Sequence, residues 1–163
     1  MEDQLKEKAG SLAARELTEV QQRAIEARLR TNPILGFMGI EVLEIAPGRA
    51  TVLLHNREEL HNSLGLVQGG VLAVVADVAG GVSLYSVLPD PLDVTIPTVE
   101  FKLNFLRPGG GEDVVARGWV VHRGRRLALC QVDVSGQSGR HLATGLFTYM
   151  VKPREEIDTT EIS

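Results

Sequence analysis

The segment His61-Asn62-Ser63-Leu64-Gly65-Leu66-Val67-Gln68-Gly69-Gly70 runs straight into an apolar stretch, Gly69 to Leu88, whose single acid is Asp77. Two glycines at a helix start let a ligand approach backbone N–H groups that have no intrahelical acceptor and lie at the positive end of the helix dipole. Such a site can hold a developing oxyanion; the alternative is that Gly69 and Gly70 serve close packing. Asp77 is the second candidate. A lone acid in so apolar a helix either finds partners and shifts its pKa, as groups at functional sites do, or sits at a solvated edge capping a neighbouring loop. Gly69 and Asp77 are eight residues apart, about 12 Å along a helix axis at 1.5 Å per residue. A carboxylate cannot cross that distance to a carbonyl held at its own chain's Gly69. If both act on one substrate, the acid comes from a second copy, and a two-fold dimer builds two equivalent sites.

Other catalytic signatures are missing. The sequence has no Gly-x-Ser-x-Gly elbow, no Walker loop, no Gly-x-Gly-x-x-Gly and no His-Glu-x-x-His. His55, His61, His122 and His141 show no metal-ligand spacing, so no metal site is expected. Cys130 has no second cysteine to pair with, and its alternation with Ala128, Val132 and Val134 puts it on the core face of a strand as an inert thiol.

The elements that must position these residues follow from periodicity. Residues 2 to 30 read as a helix with an apolar stripe (Leu5, Ala9, Leu12, Leu17, Val20, Ala24) and six acids against six bases, ended by Asn32-Pro33. Ile40 to Ala46 and Arg49 to His55 flank Pro47-Gly48 as a β-hairpin, and Asn56 to Val67 is loop. Gly69 to Leu88 has 20 residues without Lys or Arg, but Asp77 and four glycines argue against a bilayer span and for a buried helix. Val94 to Leu106 reads as a strand broken near Pro97, with Phe101, Leu103 and Phe105 on one face. Strands near Asp113 to His122, Leu127 to Ser135 and His141 to Lys152 follow, then a polar tail from Arg154. A helix apolar nearly all round must be enclosed, and the only material for that is an antiparallel sheet that curls about it, an α+β architecture.

The chain has 163 residues, enough for one domain and a full core without disulfides. We divide it into an N-terminal helical extension (1–31), a main domain (32–153) and the tail (154–163). Seventeen Lys plus Arg against 21 Asp plus Glu give a net charge of −4, which repels a phosphate backbone, and the seven aromatics offer no base-stacking platform. Nucleic acid and membrane are therefore not expected partners. The start, Met1-Glu2-Asp3-Gln4, is acidic where a secretory signal is basic and then apolar, so the expected location is the cytoplasm.

Asn62, Gln68-Gly69-Gly70, Asp77 and the run Thr98-Val99-Glu100-Phe101-Lys102-Leu103-Asn104-Phe105-Leu106-Arg107-Pro108 resemble the hotdog-fold acyl-CoA thioesterases of the phenylacetyl-CoA (PaaI-like) type. That pattern is Asn, five residues, His-Gly-Gly, an acid eight residues after the first glycine, and a strand ending in Asn-aromatic-Leu-Arg-Pro. The resemblance covers about residues 33 to 152. It implies a hotdog fold, a dimer or dimer of dimers, and hydrolysis of an acyl-CoA, with CoA part of the substrate and no separate cofactor. It also implies roles: the Gly69 amide binds the thioester oxygen, Asn62 orients the carbonyl or water, Asp77 of the partner chain is base or nucleophile, and Thr98 positions water. Gln68, Gly70 and His61 line the substrate. Gln68 departs from the family's usual His; it can donate a hydrogen bond but carries no proton at neutral pH. That departure motivates a second reading, a non-catalytic acyl-CoA or lipid binder, against which stands the retention of the costly acid Asp77. The Asp-x-Asn-Pro-x-x-His type motif of a hotdog hydratase is absent, and the charge-balanced N-terminal helix does not resemble a DNA-binding extension.

Overall fold

A computed structural model describes residues 16 to 154. The helix expected over residues 2 to 30 begins, within that range, only at Glu19: α1 spans Glu19–Arg30, and the earlier part of that expectation, residues 2 to 15, lies outside the described residues. Thr18 sets the start. Its hydroxyl accepts from the Gln21 backbone N–H (3.2 Å) while the Gln21 side-chain oxygen accepts from Thr18 N–H (3.1 Å), a reciprocal capping box that satisfies two otherwise unpaired donors. A second helix, α2 (Pro33–Met38), lies where no element was expected. Pro33 has no N–H to lose at a first helical position, and Gly39 closes the helix in the left-handed region at φ 71°.

The hairpin follows as read, β1 (Ile40–Ala46) and β2 (Arg49–Leu54), with a 3₁₀ turn at Glu58–Leu60 inside the next loop. The apolar helix α3 spans Gly69–Tyr85. The strand interrupted near Pro97 divides into β3 (Val94–Thr95) and β4 (Thr98–Phe105). Then come β5 (Val114–Arg123), β6 (Leu127–Gly136), β7 (His141–Met150) and β8 (Lys152–Pro153).

Six strands form one antiparallel sheet in the order β1-β2-β5-β6-β7-β4, and β3 pairs separately with β8. Bulges between Val42 and Glu44, Thr98 and Glu100, Val120 and His122, and Val134 and Ser135 each bend a strand. Inserted residues raise the local twist, so the sheet curls around α3. Leu72, Val75, Ala76 and Ala79 of α3 are buried against Val52, Val114, Ala116, Val132 and Phe147. The closest approach is at Gly118, where a Cβ would come within 2.5 Å of the Ala79 carbonyl oxygen. Only glycine lets the helix backbone lie this close to β5.

The open side of α3 is met by α1. Ile25, fully buried, packs on Ala50 and Val82, and Gln21 Nε2 donates to the Leu88 carbonyl at 3.0 Å. β4 differs from the other strands of the sheet. As expected, Phe101, Leu103 and Phe105 share the face toward β7 residues Phe147, Gly145 and Ala143, yet Phe101 is 50% and Phe105 56% exposed, with only the first turn of α3, at Gly69, reaching the Phe105 ring.

Candidate active site

Two clusters of the expected site residues form, one at each end of the first two turns of α3. The first is built by the loop before the helix. Asn62 N–H donates to the Leu66 carbonyl at 2.8 Å, and its Oδ1 accepts from the N–H groups of Leu64 (2.9 Å) and Leu66 (3.3 Å). The loop so braced leaves the Asn62 side-chain NH2 as the group able to reach a ligand. Gln68 is the N-cap residue; its carbonyl takes the N–H groups of Val71 and Leu72 at 2.9 and 3.2 Å. The N–H groups of Gly69 and Gly70 stand ahead of the first intrahelical acceptor, at the positive end of the helix.

Asn62 and Gly69 line one cavity of about 320 Å³ together with Leu66, Phe105, Arg107 and Gly109. A Cβ on Gly69 would lie 3.4 Å from the Phe105 ring, and one on Gly70 would meet nothing within 4 Å. Gln68 and Gly70 are exposed beside this cavity. His61 is turned elsewhere: its Nε2 lies 2.8 Å from Asn56 Oδ1, and it lines neither this cavity nor the next.

The second cluster surrounds Asp77. Thr98 Oγ1 donates to Asp77 Oδ1 at 2.9 Å, as the position of Thr98 at the start of β4 allows. Tyr149, on β7 and 1% exposed, brings its hydroxyl 3.1 Å from the same Oδ1 and 2.9 Å from the Asp77 main-chain oxygen. Both side-chain donors therefore act on one carboxylate oxygen. Burial raises the Asp77 pKa above its ordinary value, and the Thr98 and Tyr149 donors partly offset the rise. The Tyr149 pKa is pushed well above 10, first by burial and then by the Asp77 charge, so this hydroxyl remains a donor at any physiological pH.

Asp77, Thr98 and Tyr149 line a separate cavity of about 370 Å³. Its other walls include α1, the turn after it, and the α3 face that carries Val78, Gly81 and Tyr85. Cys130, fully buried on β6, has its thiol pushed up to about 12 by burial and is no nucleophile.

Tyr149 escaped the sequence reading because it sits in an apolar alternation that reads as core. Only the structure ties it to a neighbouring glycine. Gly80, one turn past Asp77, has no room for a Cβ, which would fall 2.4 Å from the Tyr149 hydroxyl oxygen. Arg107 was visible as a residue of the Arg-Pro motif, but its place at the rim of the Gly69 cavity depends on the path of the chain after β4. Among the described residues, no group of three or more His, Cys, Asp or Glu is arranged to hold a metal ion, and no helix is long and apolar enough to cross a membrane.

The chain is similar to known proteins. The family model for the thioesterase superfamily matches residues 64–143, which include both Gly69 and Asp77. Human acyl-coenzyme A thioesterase 13 is 25% identical over 135 residues, 81% of this chain and 94% of that protein. The crystal structure of a thioesterase family protein from Silicibacter pomeroyi superposes with a TM-score of 0.77 at 26% identity, covering 82% of this chain and 98% of that one. The phenylacetic acid degradation protein PaaI of Thermus thermophilus superposes at 0.65 with 28% identity, covering 73% and 98%. With its curled six-stranded sheet about α3, the chain has the hotdog fold and is a thioester hydrolase similar to the thioesterase superfamily.

Proposed function

We propose that this protein hydrolyses the thioester of a small or medium acyl-CoA or aryl-CoA to the free acid and CoA, in two equivalent sites that each span the interface of a homodimer. The observation that carries this reading is the division of labour along α3. An oxyanion-binding end at Gly69 and a basic end at Asp77 lie in different cavities of one chain, about 12 Å apart along the helix, so one substrate can meet both only if a second chain supplies one of them.

The steps balance without any further group. Water attacks the thioester carbon and its proton passes to Asp77, while the carbonyl oxygen becomes an oxyanion held by the Gly69 N–H, with the Asn62 NH2 orienting it. Collapse breaks the C–S bond and expels the CoA thiolate, which recovers the proton from Asp77. Because Thr98 and Tyr149 both donate to Oδ1, Oδ2 is the oxygen left for the water proton. The Thr98 oxygen, having given its own hydrogen to Asp77, can accept one from that water. This favours Asp77 as general base. A carboxylate whose pKa is raised by burial is a stronger base than one in water. Gln68 suits this scheme, since an ordinary thiol has a pKa near 8.5 and a thiolate departs without a strong acid.

The edge strand supports the dimer. Val99, Phe101 and Phe105 of β4 are 50 to 56% exposed, an apolar border along an edge strand that proteins rarely leave open.

The test is release of CoA thiol from a panel of aliphatic and aromatic acyl-CoAs. Wild type is expected to turn over at least one, with Asp77→Asn and Asp77→Ala slower by about 10²–10⁴-fold. Tight acyl-CoA binding without turnover by wild type would make the protein a binder instead.

A further inference from the structure

The cavity that holds Asp77 does not end at the acid. Along α3 it is lined by Asp77, Val78, Gly81, Val82 and Tyr85, positions that repeat on one helical face and carry it from the carboxylate to the last turn, about 12 Å away. The opposite wall is α1, through Ile25, Arg28 and Leu29. α1 lies outside the residues matched by the superfamily model, 64–143.

Two residues of the cavity lining stand out. Gly81 lines the cavity with room to spare: a Cβ there would meet only Ile96 Cδ1, at 3.6 Å. That is ordinary contact, so nothing in the packing demands glycine, in contrast to Gly80, which the Tyr149 hydroxyl requires. At the far end the Arg28 guanidinium lies 4.8 Å from the centre of the Tyr85 ring and donates to the carbonyl oxygens of Pro91, Leu92 and Val94. Those bonds fix a long side chain at the cavity wall, where a free arginine would swing into solvent. Tyr85, whose pKa burial raises, stays neutral beneath it.

We infer that α1 closes an acyl channel leading from Asp77, with Arg28 as the stop that limits acyl length and Gly81 as the position that keeps the channel wide enough to be entered. This rests on the thioesterase reading for the nature of the ligand. The volume, about 370 Å³, is at the low end of small-ligand sites, roughly 300–1,000 Å³, and matches a medium chain or a single aromatic ring.

The experiment compares wild type, Arg28→Ala and Gly81→Leu on saturated acyl-CoAs of increasing length, reading kcat/KM for hydrolysis and Kd for the non-hydrolysable thioether analogues. Arg28→Ala is expected to move the optimum to longer chains, raising the long-to-medium ratio of kcat/KM by at least about tenfold, and Gly81→Leu to lower that ratio as much, within the range measured for one misplaced methylene in a pocket. The Kd profiles should shift in the same directions. A loss of activity in parallel at every length would overturn the channel, because a merely structural role for Arg28 moves all substrates together. Gly81→Leu keeps the test open if Arg28→Ala unfolds, since leucine favours a helix over glycine. If wild type hydrolyses nothing but the Kd profiles shift, the channel stands and hydrolysis falls. If hydrolysis holds and neither profile shifts, the channel alone falls. If the analogues do not bind at all, both fall.

Discussion

Asp77 carries two opposing effects that a single substitution separates. Its pKa is raised by burial, so the folded chain binds this proton more tightly than the unfolded chain does. Stability from this group is then full at low pH and is lost as pH rises from the ordinary aspartate value through the raised folded one. Above that window the ionised acid is a standing cost. Asp77→Asn is accordingly expected to melt at a higher temperature than wild type at pH 7, with the gap closing as pH falls toward 4, while losing turnover; thermal melts across pH check it. The two donors act in the opposite sense to burial. Removing one, in Tyr149→Phe or Thr98→Val, should move the acid limb of kcat/KM to higher pH, and a limb that moves down or stays would contradict the placement of Asp77 as base. Gly69 and Asp77 were legible from their types and spacing, and Asn62 and Thr98 from the family resemblance. Tyr149 was not, since a buried hydroxyl aimed at an acid is indistinguishable in sequence from a core aromatic.

At the scale of elements, the register of α3 on the sheet depends on small residues. Gly118→Ala would place a methyl 2.5 Å from the Ala79 carbonyl oxygen, backbone against backbone, so neither side can turn away. The expected cost is about 1–3 kcal/mol in urea unfolding. Gly36→Ala, where a Cβ meets nothing within 4 Å, is the control and should not destabilise. The apolar helix and the hairpin were readable because their periodicity and the Pro47-Gly48 turn are local signals. α2 was not, because six residues are too few to show a helical period, and Asn32-Pro33 reads equally as the end of one helix and the start of another. The alternation in β4 fixed which side chains share a face and was silent on whether anything covers them. Burial is a property of the neighbours, and Phe101 and Phe105 stay half exposed in the chain's own fold.

At the scale of the molecule, that uncovered border is the place where we expect a second copy. A charge on it should oppose pairing. Val99→Asp, at an exposed bulge of β4, is predicted to shift the mass in solution toward the monomer and to lose turnover with it, and a monomer of full activity would end the shared-site account. The most direct test uses two inactive variants. Asn62→Ala disables the oxyanion end and Asp77→Asn the basic end; unfolded together and refolded, half of the resulting dimers are mixed. In a site that draws one end from each chain, a mixed dimer has one wholly intact site, so the mixture should recover about a quarter of wild-type CoA-thiol release although each variant alone is far slower. Activity that never exceeds the sum of the two separate variants, in a sample shown by mass to contain mixed dimers, would contradict the claim that Gly69 of one chain and Asp77 of the other work on one thioester.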